Sequence, residues 1–233
     1  MRLVPAAALC LSLTAQTALA CAADAMVVFD ASASMNSQDF DANTTRRIDE
    51  ARAAMAEIMP RIEHTRRIGL IAYGPGGGPC DGISYRFSPV PDAAARLMSE
   101  LRAIRPGGLT PLTEAVRLAA GVLGPDPGVV VLVTDGAESC GGSPCDLAYS
   151  LPATLTVHVI GFKLLWNAFA SHSTGQQDSA RADLTARCLA DRTGGRFVAT
   201  ETVQDLVAAL EATLGCLRLG QTEPIPATRA EPA

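Results

Sequence analysis

The segment Val27-Val28-Phe29-Asp30-Ala31-Ser32-Ala33-Ser34-Met35 sets a carboxylate at the end of an apolar run, with hydroxyls two and four residues beyond it. Turned into one concavity, these three oxygens are the ligand type that hard divalent cations require. A second apolar run, Val129 to Thr134, ends the same way in Asp135-Gly136. Thr110, in Gly107-Gly108-Leu109-Thr110-Pro111-Leu112, adds a hydroxyl from a loop. Asp30, Ser32, Ser34, Thr110 and Asp135 thus form a candidate cation site drawn from three separated segments. Taken singly, each reads as well as a helix cap or a turn residue. Convergence requires a fold that brings the two strand ends side by side.

The pattern along the chain predicts such a fold. Strand-like runs recur at Met26 to Phe29, Ile68 to Tyr73, Ile83 to Val90, Val129 to Thr134, Leu155 to Phe162 and Arg196 to Thr200. Helical periodicity fills most of the gaps. Arg46 to Met59 places Ile48, Met55, Ile58 and Met59 on one face, and Val203, Leu206, Val207, Leu210 and Leu214 form another apolar stripe. Asp92 and Thr110-Pro111 mark two further helix starts, with Pro111 suited to a first helical position. Only Gly74 to Gly82 separates the second and third strands, too little for a crossover helix, so that pair is an antiparallel hairpin. The rest implies right-handed βαβ crossovers: a doubly wound, mostly parallel six-stranded α/β sheet with one antiparallel edge strand and helices on both faces. At the switch point of such a sheet, carboxylates at neighbouring strand ends open into one crevice.

Composition narrows the function. The 233 residues are 48% hydrophobic and 18% charged, with 19 basic and 24 acidic side chains and a formal charge of −5. The basic residues are scattered, and all but Lys163 are arginine. This is no phosphate-seeking nucleic-acid binder. No apolar run reaches the roughly 20 residues of a membrane span. Several enzyme signatures are missing. There is no Gly-rich phosphate loop and no GxSxG elbow, and His64, His158 and His172 show no paired spacing. A metal-dependent phosphohydrolase with Asp30 as nucleophile would carry a second carboxylate two residues on, where this chain has Ser32. No catalytic residue is therefore expected. Glu138 and Asp81 read as exposed loop acids.

The amino terminus has the form of an export signal: Arg2, an apolar stretch from Leu3 to Leu13, then the small-residue pattern Ala18-Leu19-Ala20. Cleavage after residue 20 makes the protein periplasmic or secreted and takes the formal charge from −5 to −6. Six cysteines would remain, Cys21, Cys80, Cys140, Cys145, Cys188 and Cys216, an even number suited to three disulfides in an oxidising compartment. None has CxxC spacing. The alternative, a lipoprotein anchored at Cys21, has only a weak lipobox, since Ala18 stands where leucine is favoured. Lys163 to Ser179, with Trp166, His172 and Gly175, reads as a surface loop, and residues 217–233, with three prolines, as a disordered tail.

DASAS, a loop threonine and a late VLVTDG, in that order, resemble the von Willebrand factor type A domain, whose metal-ion-dependent adhesion site has the form DxSxS…T…D. The resemblance runs from about Met26 to Leu214 and implies a domain over residues 21–216. GLIAYG, LTPLTEAV, TDGAESCGGSPC, VHVIGF and RCLADRTGG further resemble exported bacterial members. By that resemblance Asp30, Ser32, Ser34, Thr110 and Asp135 hold Mg²⁺ (or Mn²⁺ or Ca²⁺), and one open coordination position takes an Asp or Glu side chain of a partner protein. Ala33 departs from the glycine common in the family. The resemblance also implies a Cys21–Cys216 bridge between termini that lie close together. For the other four cysteines it leaves either Cys80–Cys140 with Cys145–Cys188, or a local Cys140–Cys145 bridge. A metal that only braces the loops of a cell-envelope structural protein is the alternative to ligand binding.

Overall fold

The computed structural model describes residues 23–38, 45–76, 80–164 and 186–215. The expected export signal, Cys21, Cys216, the expected tail and nearly all of residues 163–179 read above as a loop, His172 included, lie outside the described residues.

A six-stranded sheet forms the centre, in the order β3-β2-β1-β4-β5-β6. Its strands are β1 (Asp24–Asp30), β2 (Ile68–Tyr73), β3 (Ile83–Val90), β4 (Gly128–Thr134), β5 (Leu155–Phe162) and β6 (Phe197–Thr200). All neighbours pair in parallel except β2 and β3, the hairpin foreseen from its short connection. β1 and β4 are apolar on both faces, as strands covered by helices on each side must be. Side-chain alternation divides the core. Ala25, Val27 and Phe29 of β1 face one cluster, shared with α1 (Arg47–Ile62), α2 (Ala94–Ala103) and α6 (Val203–Leu214). Met26 and Val28 face the other, shared with α3 (Leu112–Leu123), α4 (Pro144–Ser150) and the helical residues 186–192, here α5.

Several local expectations are corrected. α1 continues past Met59 through Pro60, because Ile62 still packs into the core. Asp92 does not start α2. It takes a left-handed conformation, φ 50°, and its carboxylate meets the His64 ring at 2.9 Å. The first α2 amide, Ala94, is capped instead by Glu63 Oε2 at 2.8 Å. Pro111 sits one residue before α3, not inside it. Lys163 is no surface residue: it is buried against Glu50 at 2.7 Å. Cys145 lies in the first turn of α4.

The disulfides join Cys80 to Cys140 and Cys145 to Cys188. The first ties the β2–β3 connection to the segment after β4, and the second ties α4 to α5. No Cys140–Cys145 bridge forms.

One histidine gives the fold a pH dependence. His158 of β5 accepts the Arg196 amide at Nδ1, 3.0 Å away. Burial, reinforced by Arg196 and Arg66, pushes the ring's pKa down to about 4. The unfolded ring protonates below about 6.5 while the native ring stays neutral, so stability holds above that pH and falls from there toward 4. Discounted for the ring's partial exposure, the loss is about 2 kcal/mol. Urea melts of wild type and His158→Asn, which keeps an acceptor, should diverge across this window, with the wild type losing more. Parallel profiles would exclude the histidine as the cause.

Candidate metal centre

The register Phe29↔Val133 between β1 and β4 brings their next residues, Asp30 and Thr134-Asp135, out together at the carboxyl edge of the sheet. This is also the switch point, since β2 lies on one side of β1 and β4 on the other. The Asp30–Ser34 loop turns through a short 3₁₀ segment, Ala33–Asn36. The loop before α3 docks on it: Gly107 donates to the Ala31 carbonyl at 2.9 Å, and Ala33 donates to the Gly108 carbonyl at 3.1 Å.

A hydrogen-bond chain joins four of the five candidates. Asp30 Oδ1 accepts the Ser32 amide at 2.8 Å. The Ser32 and Ser34 hydroxyls are 3.0 Å apart, and Ser34 donates to Asp135 Oδ1 at 2.6 Å. A serine has one hydroxyl hydrogen, so Ser32 donates to Ser34 and Ser34 to Asp135, and both oxygens keep lone pairs. Thr110 is fixed through its backbone to the segment after β4. Its amide donates to Ser139 Oγ at 2.8 Å, and its carbonyl accepts the Ser139 amide at 3.1 Å.

Sequence reasoning missed several residues that hold the site. Tyr73 and Thr134 donate to Asp30 Oδ2 at 2.9 and 2.7 Å. A signal for Tyr73 existed: it ends β2 in register with Asp30. Arg47 Nη1 donates to Asp135 Oδ2 at 3.0 Å. It shares the buried face of α1 with Glu50, Ala51 and Ala54, and charges on an otherwise apolar stripe were the readable sign. Glu138 is not an exposed acid. Half-buried, it accepts the Thr113 amide at the start of α3 (2.7 Å) and the Cys140 amide (2.8 Å). Asp81 is exposed, as expected.

The electrostatics suit a cation. Asp30 and Asp135 are both fully buried. Burial holds the Asp30 carboxyl above its ordinary range despite the donors from Ser32, Thr134 and Tyr73. Burial, and then repulsion from Asp30, push Asp135 up to about 7 against the pull of Ser34 and Arg47. Two carboxylates that disfavour each other's charge are a donor set that a divalent cation stabilises. Among the described residues no three His, Cys, Asp or Glu side chains group to hold a metal ion, so the two aspartates need further oxygen ligands, which the neighbouring hydroxyls can supply. Adjacent ligands on an octahedral Mg²⁺ lie about 2.9 Å apart, given bonds of about 2.0–2.1 Å. The Ser32–Ser34 spacing matches that value. Among the described residues no helix is long and apolar enough to cross a membrane.

Residues 25–138 match the family model for the von Willebrand factor type A domain. Among curated proteins none matches the chain. Solved structures share its fold. BatB from Bacteroides thetaiotaomicron, a conserved hypothetical protein, superposes with a TM-score of 0.56 at 16% identity, over 82% of this chain and 98% of its own. The vWF domain of the type V pili tip protein Mfa5 from Porphyromonas gingivalis gives 0.56 at 14% identity, over 88% and 98%. Proximal thread matrix protein 1 from the mussel byssus, in a form with a zinc-occupied MIDAS motif, gives 0.54 at 19% identity, over 83% of this chain and 46% of its own. Strand order, helix placement and the matched segment together lead to one assignment: this chain carries a von Willebrand factor type A domain.

Proposed function

We propose that Asp30, Ser32, Ser34, Thr110 and Asp135 form a metal-ion-dependent adhesion site in an exported binding protein. The site holds Mg²⁺, or Mn²⁺ or Ca²⁺ in its place, and grips an acidic side chain of a partner protein. In this reading residues 1–20 are a removed signal, 21–216 the domain and 217–233 a tail. The observation that supports it most is the relay Ser32–Ser34–Asp135, which links two hydroxyls and a buried carboxylate within hydrogen-bond distance of one another. The cation would supply a Lewis-acidic centre, the serines and Thr110 would ligate it, and the two aspartates would balance its charge directly or through water. The zinc-occupied MIDAS of the mussel protein and the pilus setting of Mfa5 support both the chemistry and an adhesive, non-enzymatic role. The two disulfides support an oxidising compartment.

The test is Mg²⁺ titration of the oxidised protein by calorimetry, alongside Asp30→Asn. That change keeps an acceptor for Tyr73 and Thr134 but removes the charge. Wild type should bind one Mg²⁺, and the variant should lose more than about a hundredfold in affinity. Capture from native cell-envelope extract in Mg²⁺ and in EDTA then tests the adhesive part. A partner held equally well in both would leave the cation only a bracing role.

A further inference from the structure

Arg47 opens α1 with its side chain 4% exposed, and its guanidinium meets the Asp135 oxygen that Ser34 does not use. One turn along the same helix Glu50 pairs with Lys163 at 2.7 Å, both side chains 7% exposed. Arg47 itself lies against a site that holds two buried carboxylates, Asp30 and Asp135. We infer that Arg47 sets the charge of the loaded site: it weakens the hold on the cation and makes the open position selective for an ionised carboxylate over a neutral oxygen donor. This rests on the reading of the five residues as a divalent-cation site.

The bookkeeping is short. Whatever else surrounds the site, the Arg47 guanidinium against Asp135 makes it one unit more positive, with or without the cation. Without Arg47 the loaded site would carry one positive charge fewer. A guanidinium does not lose its proton in a protein, so this charge is permanent. In a buried setting a unit charge a few ångströms away acts far more strongly than in water. It repels the incoming cation, and it attracts any anion that reaches that cation from outside. An amide or carbonyl oxygen, which carries no net charge, gains far less from it.

The test compares wild type with Arg47→Gln and Arg47→Met, which are neutral, and Arg47→Lys, which keeps the charge. Mg²⁺ affinity is read by calorimetry at one fixed pH for all four proteins. Acetate and acetamide serve as probes of the Mg²⁺-saturated proteins. The neutral variants should bind Mg²⁺ about tenfold tighter and acetate about tenfold more weakly, with acetamide little changed and Lys close to wild type on all three. Two neutral replacements guard against one failing to fold. If wild type binds Mg²⁺ but a folded neutral variant binds it no tighter, or keeps its acetate affinity, the role of Arg47 is overturned while the metal site stands. If wild type binds no Mg²⁺, the metal reading falls and this inference with it.

Discussion

Treated with excess dithiothreitol, the protein is expected to unfold at 37 °C. Cys80–Cys140 closes 60 residues of chain and Cys145–Cys188 closes 43. In the chain-entropy account each such loop stabilises the native state by about 4 kcal/mol. The loops are disjoint in sequence, so their effects add to about 8 kcal/mol. That rivals the whole stability of an ordinary domain, about 5–15 kcal/mol. The paired variants Cys80→Ser with Cys140→Ser, and Cys145→Ser with Cys188→Ser, should each lose about half of this in urea melts. They should differ at the metal centre. Cys140 is held by Glu138, and its neighbour Ser139 clamps Thr110, so loss of the first bridge should also weaken Mg²⁺ binding. Loss of the second should lower stability alone. A melting temperature indifferent to reductant would show that the bridges restrain nothing the rest of the fold does not.

Gly74→Ala is expected to damage fold and site together. Gly74 follows β2 with φ 86°, a conformation that L side chains rarely adopt. A methyl there would stand 2.5 Å from the Ser32 nitrogen and 2.6 Å from its Cα, inside contact distance of the Asp30–Ser34 loop. The backbone must therefore move, and the loop it pushes is the one that presents both serine hydroxyls. Left-handed strain and the clash together should cost about 3 kcal/mol and remove Mg²⁺ binding. Gly76 is the control. Its φ is 90°, but a methyl there meets nothing within 4 Å, so Gly76→Ala should cost about 1 kcal/mol and leave the cation site intact. Equal Mg²⁺ affinity in wild type and Gly74→Ala would refute the loop's dependence on that close approach.

These residues also mark where sequence stopped being readable. Strands were legible because their signal is local: the runs Ile68 to Tyr73, Ile83 to Val90 and Leu155 to Phe162 coincide with β2, β3 and β5. The hairpin followed from a connection too short for a helix. The meeting of Asp30 and Asp135 followed from topology, since each ends an apolar strand. Side-chain pairing across 88 residues, as between Arg47 and Asp135, leaves no periodic trace. Lys163 looked like a loop residue because its partner, Glu50, lies on a distant helix. Asp92 was misread for a related reason: an acid before a helix resembles a cap, but here Glu63 reaches across from α1 and supplies it.

The outer strands of the sheet have a consequence for crowded conditions. Among the described residues, one border is β6, only four residues long, and the other is β3, whose ladder with β2 is irregular near Ile68 and Leu70 and whose end carries Pro89. A brief strand, a broken register and a residue without an amide hydrogen are all poor templates for another chain's backbone. Copies packed side by side find little to add a strand to, so the sheet resists runaway polymerisation through its backbone.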